Sequence, residues 1–526
     1  MSTLHPVLIA GQWRTATNPT STFTATNPTT GQPLTEDIYP VSSQTDVDAV
    51  LVAAAEAAPL LRATSPETIA AFLNRYADLL EANREPLVAA AHAETGFPAE
   101  PRLNSVELPR TTGQLRQAAQ AAVTRSWTRP VIDTKAGIRS IHEPLGGAAL
   151  VFGPNNFPFA FNAISGGDFA AAIAARCPVI AKVHTSHPTT SRLMAECAHQ
   201  AATELGLPSG AIQVLYRMNH ALSLGMIENP AIAAVGFTGS RSAGMQLKEV
   251  ADRYGKPAYL EMSSVNPVFV LRDYLEANLE ALAGEFFTSC TMGTGQFCTN
   301  PGLVVLPAGP LGDAFVAAAA AKFSAGKPGV LLNKGGRDGL AEAVETLKAA
   351  GARVVCGGEI VGDDPGFRYA NTLLSVTGAQ FIAHPEALQT EAFGPVSLLV
   401  LCENGDEMIA VANALEGNLT GTVYASDEGS DDAFYSRVAP ALRVKVGRLL
   451  NNKMPTGVAV SPAMNHGGPF PATGHPYFSS VGIPHAIARF SMLCSYDNVK
   501  NHRLPTELQD GNPLGIWRLV DGDWVK

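Results

Sequence analysis

The chain has 526 residues, with 37 basic against 47 acidic side chains for a net charge of −10, and 46% of its residues are apolar and 16% charged. That length exceeds what one core sustains and calls for two or three domains, while the apolar content excludes a disordered chain. An acidic balance without clustered Lys and Arg leaves no footprint for nucleic acid, and no apolar run reaches the ~18 residues of a membrane span.

The opening residues, MSTLHPVLIAGQWRTATNPT, carry no basic stretch followed by an unbroken apolar one, so no secretory leader is expected. The seven cysteines lack CxxC spacing, which disfavours a disulfide framework and a zinc site and fits a reducing cytoplasm. Residues 44–63 and 66–94 alternate apolar and polar positions at helical spacing, with Thr64-Ser65-Pro66-Glu67 as a capped start. The front of the chain is therefore expected to be mostly helical. From about residue 145, short apolar runs (AALVFG, PVIAKV, AIQVLY) alternate with helical segments. That rhythm predicts a parallel sheet covered by helices, with ligands at the carboxyl ends of its strands. It restarts after AIAAVGFTGS and continues to roughly residue 445, with a long helix near 273–290. The final segments IARFSMLCSYDN and LGIWRLVDGDWV read as strands, and terminal edge strands often pair with another subunit.

Four places along this frame can carry chemistry. In FGPNNFPFAFN, Pro154 and Pro158 bracket Asn156 and Phe157 after a strand, so the loop either presents an amide donor to a developing negative charge or is a plain turn. In VGFTGSRSAG a strand runs through Gly239-Ser240 into a helix, a corner whose free backbone N–H groups suit phosphate or merely cap the helix. In YLEMSSVNP, Glu261 ends a strand where a partly desolvated carboxylate can act as general base, or stay solvated. In MGTGQFCTNPG, Cys298 sits in a Gly-rich loop whose N–H groups can lower its thiol pKa and hold an oxyanion. Taken alone, it also fits a buried inert thiol.

Together and in this order, PNNFP, VIAKVH, GFTGS, LEMSSVNP, GQFCTNPG and EAFGPV closely resemble the aldehyde dehydrogenase superfamily over nearly the whole chain. The resemblance implies an α/β fold with a Rossmann-type cofactor domain (residues 1–125 and 147–262), an α/β catalytic domain (263–450) and a small β oligomerisation arm (126–146 and 483–526). It makes Cys298 the nucleophile, Glu261 the base for the deacylating water, and Asn156 the oxyanion donor beside the Cys298 backbone N–H. Lys182, Gly239 and Ser240 would hold the adenosine and phosphate side of NAD(P), and Glu391 and Phe393 the nicotinamide ribose and ring. The implied reaction oxidises an aldehyde through a cysteine thiohemiacetal and a thioester to the acid. A homodimer or homotetramer in the cytoplasm is the implied assembly, with no metal.

Departures from the common pattern narrow the expectation. Thr185 stands where many members carry a Glu that binds the adenosine ribose and repels a 2′-phosphate, so NADP is expected in preference to NAD, with Arg217 as a candidate phosphate partner. LEMSS replaces LELGG, and Met464-Asn465-His466-Gly467-Gly468-Pro469 replaces the usual GG-x-K-x-SG. These traits, with ARCPVIAKVH and LPRTTGQLR, resemble the 2,5-dioxovalerate (α-ketoglutaric semialdehyde) dehydrogenases and their long-chain fatty-aldehyde relatives. An oxo-acid semialdehyde needs a buried cation for its carboxylate, and Arg110 is the candidate. A fatty aldehyde needs an apolar tunnel, to which Phe157, Phe159 and Phe161 can contribute. Transfer of the acyl group to coenzyme A, and a catalytically silent binding protein on the same fold, are the remaining alternatives.

Overall fold

In the computed structural model, which describes residues 2–362 and 365–526, the first forty residues are extended, and helix begins only at Gln44. From there to Thr124 the chain is mostly helical, as expected over 44–63 and 66–94, and only the residues ahead of it are strand. Val7–Ile9 is fully buried and pairs antiparallel with Ile212–Leu215 through Val214 and Leu8. The next turn uses Gly11 at φ 70°, where an added Cβ would lie 3.0 Å from the Ser209 side chain, so a larger residue would be strained there. The first forty residues lack the helical periodicity of residues 44–94, and burying Val7–Ile9 on a sheet edge satisfies both their side chains and their backbone.

The helices start where local chemistry directs. Ser43 caps Gln44–Ala63 by accepting from the Asp46 N–H, and Ser65 caps Pro66–Ala82 by accepting from Thr68, with Pro66 in the first turn. The latter helix packs against Leu108–Thr124.

Behind them runs a seven-stranded sheet in the order Ala258–Glu261, Ile232–Thr238, Ala148–Phe152, Val179–Lys182, Ile212–Leu215, Val7–Ile9, Gln12–Arg14. The first five strands are parallel, and helices cover both faces, so they read as unbroken apolar runs. Register aligns their carboxyl ends: Phe152 lies opposite Lys182 and Phe237, and Thr238 opposite Glu261. Residues far apart in sequence thus reach one rim of the sheet.

A second seven-stranded sheet runs Arg353–Cys356, Thr372–Thr377, Val396–Cys402, Leu303–Pro307, Val268–Val270, Asn418–Tyr424, Val446–Asn451, parallel except for its first strand. A five-stranded sheet joins Val131–Asp133 and Ile138–Pro144 to Ser491–Asp497, Arg518–Val520 and Asp523–Val525. Leu493, Trp517 and Trp524 stand exposed on or beside it. Between Asn451 and the helix His485–Ala488 the chain forms no regular strand, yet it is anchored. Glu261 bridges Thr473, Met262 N–H donates to Ala472 (2.8 Å), and Gly474 N–H donates to Leu260 (3.0 Å). Among the described residues no helix is long and apolar enough to cross a membrane.

Candidate active site

Cys298 is delivered by an abrupt stop in the helix Arg272–Thr291. Gly293, Thr294 and Gly295 follow in the left-handed region (φ 56°, 59° and 67°). A Cβ on Gly295 would sit 2.1 Å from the Gly394 carbonyl oxygen, so only glycine lets this turn meet the segment that carries Glu391 and Phe393. The loop is pinned by Asn266, whose Nδ2 donates to the carbonyls of Cys298 and Asn300, both at 2.9 Å.

Asn156 is buried in the loop after Ala148–Phe152, and its Nδ2 donates to the Gln296 carbonyl at 2.9 Å. One amide N–H ties this loop to the cysteine loop and leaves the other for a ligand. Glu261, at the end of its strand, is also buried. A cavity of about 420 Å³ is lined by Asn156, Cys298 and Glu261 together with Lys182, His184, Gly239, Ser240, Glu391 and Phe393. A second cavity of about 620 Å³ shares Phe152, Lys182, Phe237 and Ala243 with it and adds Arg217, Asn219 and His220. The two form one elongated groove along the carboxyl rim of the parallel strands, where an α/β sheet binds ligands.

Charges in the groove are displaced from their ordinary values, chiefly by burial. Desolvation, with the charge of Arg217 added, lowers Lys182 to about 8. Desolvation and the charge of Glu261 raise Glu391 to about 7, against opposing hydrogen bonds from Ser263 and Ser264. The Cys298 thiol is driven well above its usual range by burial first and the Glu261 carboxylate second, with Arg110 opposing. This reverses the expectation that backbone N–H groups of the glycine loop would lower it. Burial also pushes Glu261 up, but the charge and hydrogen bond of His466 outweigh that and hold the carboxyl below its usual range.

His466 is the residue that sequence reasoning missed. Its Nε2 lies 3.0 Å from Glu261 Oε1 and 3.4 Å from the Cys298 sulfur. The ring is buried, its backbone N–H donates to Ser479 Oγ (3.0 Å), and its carbonyl accepts from Ser480 N–H (3.1 Å). Ser480 Oγ approaches the other Glu261 oxygen at 3.3 Å. The only signal was the altered segment Met464–Pro469, and nothing in its spacing connects it to Cys298.

Other expected residues stand apart from the groove or at its edge. Thr185 is half-buried three residues past Lys182 and lines neither cavity, whereas His184 lines the first. Ser240 Oγ caps the helix Arg241–Arg253 by accepting from Ala243 N–H at 3.3 Å. Phe157 and Phe161 pack with Phe297 in a small apolar cluster, their rings meeting edge to face at 5.1 and 5.3 Å from Phe157. Phe159 belongs instead to the main core. The Phe alternation thus marks no strand and no shared tunnel face, because residues 153–164 form turns. Arg110 lies over Phe161 at 5.1 Å and donates through Nη1 to the Val458 carbonyl at 2.7 Å, while its Nε and Nη2 are buried without a partner. Its charge reaches both Cys298 and Glu261.

Residues 13–469 match the model of the aldehyde dehydrogenase family. The chain is 39% identical over 512 residues to alpha-ketoglutaric semialdehyde dehydrogenase 2 of Azospirillum brasilense, covering 95% of this chain and 96% of that protein. It is 35% identical over 530 residues to alpha-ketoglutaric semialdehyde dehydrogenase of Acinetobacter baylyi, covering 98% and 97%. Among solved structures it is similar to a mutant aldehyde dehydrogenase of Pseudomonas syringae in complex with NAD+ and octanal. The TM-score is 0.79 at 22% identity, over 95% of this chain and 98% of that one.

Proposed function

The chain belongs to the aldehyde dehydrogenase family, an NAD(P)-dependent aldehyde oxidiser with that family's fold, and from that premise we propose that it converts 2,5-dioxovalerate to 2-oxoglutarate, with NADP preferred. The observation that carries the reading is the convergence of Cys298, Glu261 and Asn156 on one cavity with Lys182, Glu391 and Phe393. The substrate assignment draws support from the two relatives named for this semialdehyde, similar over nearly the full chain.

The groove suits a dinucleotide. Gly239, where a Cβ would strike the Phe237 ring at 2.6 Å, brings the backbone close to a pyrophosphate at the start of Arg241–Arg253, and the free N–H groups of that helix terminus favour anions. Lys182, in the shared part of the groove, and Arg217, in the second cavity, supply positive charge for a 2′-phosphate. Thr185 supports this by absence of a carboxylate. Glu391 accepts from ribose hydroxyls, and Phe393 packs on the ring side. A bound nicotinamide supplies the two-electron oxidant.

The chain's own groups do the rest. Cys298 adds to the aldehyde carbon, and the free Asn156 amide N–H and the Cys298 backbone N–H hold the resulting oxyanion. After oxidation a thioester remains on Cys298, and Glu261 draws a proton from the water that hydrolyses it. Arg110, with two unpartnered donor nitrogens, binds the remote carboxylate of the substrate. The exposed Leu493, Trp517 and Trp524 on the five-stranded sheet support assembly as a homodimer or homotetramer.

Steady-state oxidation of 2,5-dioxovalerate and of a long-chain aldehyde, each with NAD and NADP, tests the reading. Efficient turnover of the oxo-acid with NADP is expected. Preference for the long aldehyde would overturn the substrate, and cofactor reduction that needs coenzyme A and yields its thioester in place of the acid would overturn the hydrolytic step.

A further inference from the structure

His466 brings a third kind of donor atom to a place where the catalytic groups supply two. Cys298 Sγ, His466 Nε2 and a Glu261 carboxylate oxygen all lie within 4.8 Å of one another, and among the described residues no other three His, Cys, Asp or Glu side chains form such a group. We propose that these three atoms form a reversible binding site for a divalent transition-metal ion of the softness of zinc, and that an ion held there silences the enzyme by occupying its nucleophile. Binding stands apart from the substrate assignment, and only the silencing rests on Cys298 as the attacking group.

The donors fit such an ion in kind and in spacing. Thiolate and imidazole suit zinc and cobalt and a carboxylate completes the set, whereas magnesium and calcium, which take oxygen ligands, find a single oxygen-bearing side chain. Ligand atoms about 2.0–2.3 Å from a tetrahedral zinc lie roughly 3.3–3.6 Å from each other. Nε2 is 3.4 Å from the Cys298 sulfur and 3.0 Å from Glu261 Oε1, so the nitrogen and the carboxylate need part by only a few tenths of an ångström. The fourth position opens on the cavity of about 420 Å³ that Cys298 and Glu261 line, which gives the ion an entry path and room for a water. The ligands are also held from behind. Ser480 Oγ lies 3.3 Å from the other Glu261 oxygen, Ser479 Oγ accepts from the His466 backbone N–H at 3.0 Å, and Asn266 Nδ2 donates to the Cys298 carbonyl at 2.9 Å. Partners of this kind orient ligands and reduce the ordering that binding requires.

Charge favours the ion as well. A thiolate beside a carboxylate places two negative charges in a desolvated pocket, which burial opposes. A dication cancels both, and its field strips the sulfur of its proton. The thiol proton goes to solvent, the proton of Nε2 that faces Glu261 and Cys298 gives way to the ion, and the ring keeps one proton on Nδ1. No electron is transferred. Of the remaining charges that act on the thiol, Glu391 supports the added cation and Arg110 and Arg448 oppose it. Both arginines are turned toward carbonyls, of Val458 and of Gly457 and Pro455.

The test is zinc titration of the reduced, chelator-treated full-length protein, without aldehyde or cofactor, in competition with a chromophoric zinc indicator. A single ion per chain should bind and should protect Cys298 from iodoacetamide at mildly alkaline pH, read on the Cys298 peptide by mass spectrometry, and EDTA should restore alkylation. Cobalt(II) should give a sulfur-to-metal charge-transfer band that Cys298→Ser lacks, and excess magnesium should not protect. His466→Gln should weaken zinc by at least about 10–100-fold, the loss that even an outer partner of a ligand causes. Failure of zinc to protect Cys298 in the unmodified protein would overturn the proposal, even if His466→Gln does not fold. So would unchanged zinc affinity in a folded His466→Gln protein, which would leave a plain thiolate complex. With an aldehyde that the enzyme oxidises, zinc should stop turnover and EDTA should restore it. Protection of Cys298 without inhibition would overturn the silencing and the nucleophile assignment together, whereas absence of binding would overturn the metal site and leave that assignment standing.

Discussion

Arg102 and Glu107 form a buried ion pair, Nη1 to Oε2 at 2.9 Å, whose two halves hold the same turn from opposite ends. Arg102 Nη2 donates to the Asn156 carbonyl (3.1 Å), while Glu107 Oε1 accepts from the N–H groups of Phe159 and Ala160 (2.9 and 3.0 Å). The Arg102 guanidinium also lies over the rings of Phe157 and Phe297 at 4.5 and 5.0 Å, beside Asn156 and Cys298 in sequence. One pair thereby ties the loop of Asn156 to the loop of Cys298.

Replacing one partner leaves the other charge buried and unpaired. Arg102→Met or Glu107→Gln should destabilise the protein by ~3–5 kcal/mol, measured by denaturant unfolding. In the folded fraction kcat should fall while KM for the aldehyde changes little, because a hydrogen bond from Asn156 gains most of its strength as negative charge develops on the oxygen.

On the proposed roles, substitutions of Cys298, Asn156 and Glu261 should fail in different ways. Cys298→Ala should abolish oxidation. Asn156→Ala should lower kcat by about 10²–10³-fold, the cost of one oxyanion donor. Glu261→Gln should still form the acyl-enzyme but hydrolyse it slowly, so intact-mass spectrometry after rapid quench should find the thioester accumulating. An equal block before acylation would show that the carboxylate is required for the first step.

Cofactor affinity should peak in a narrow window. Glu391 is raised to about 7 by burial and becomes a carboxylate only above that pH, whereas Lys182 is lowered to about 8 and loses its charge above it. Tightening as pH climbs through about 7 and weakening through about 8 should appear in fluorescence titrations with NADP. Glu391→Gln should erase the acid limb alone. Arg217→Ala should weaken NADP by about tenfold and leave NAD nearly unaffected, since only NADP carries the 2′-phosphate.

Arg110 is 348 residues from the Val458 carbonyl it holds, and its remaining donors await a partner. Arg110→Met should raise KM for 2,5-dioxovalerate by about 10–100-fold, the cost of leaving a buried carboxylate without a charged partner. An uncharged aldehyde of similar length should be nearly indifferent. Equal losses on both substrates would assign Arg110 to holding the 458 segment.

Much of this molecule is written locally. Ser65-Pro66 opens a helix, short apolar runs between helices make a parallel sheet, and glycines before Cys298 make a turn that at Gly295 only glycine can make so close to the Gly394 backbone. Those patterns act over a few residues, so they can be read from the chain, and family motifs extend the reading to Asn156, Glu261, Glu391 and Phe393. Three things depended on distance instead. Val7–Ile9 became strand because an open sheet edge accepted it, and Phe159 went to the core while Phe157 and Phe161 went beside His466, since turns broke their alternation. His466 itself reached Cys298 across 168 residues and Glu261 across 205, through backbone pairing of residues 472–474 with the sheet edge. A side chain's proton affinity depends on what surrounds it within a few ångströms, so the sequence named the thiol and the carboxylate, and only the fold set the imidazole between them.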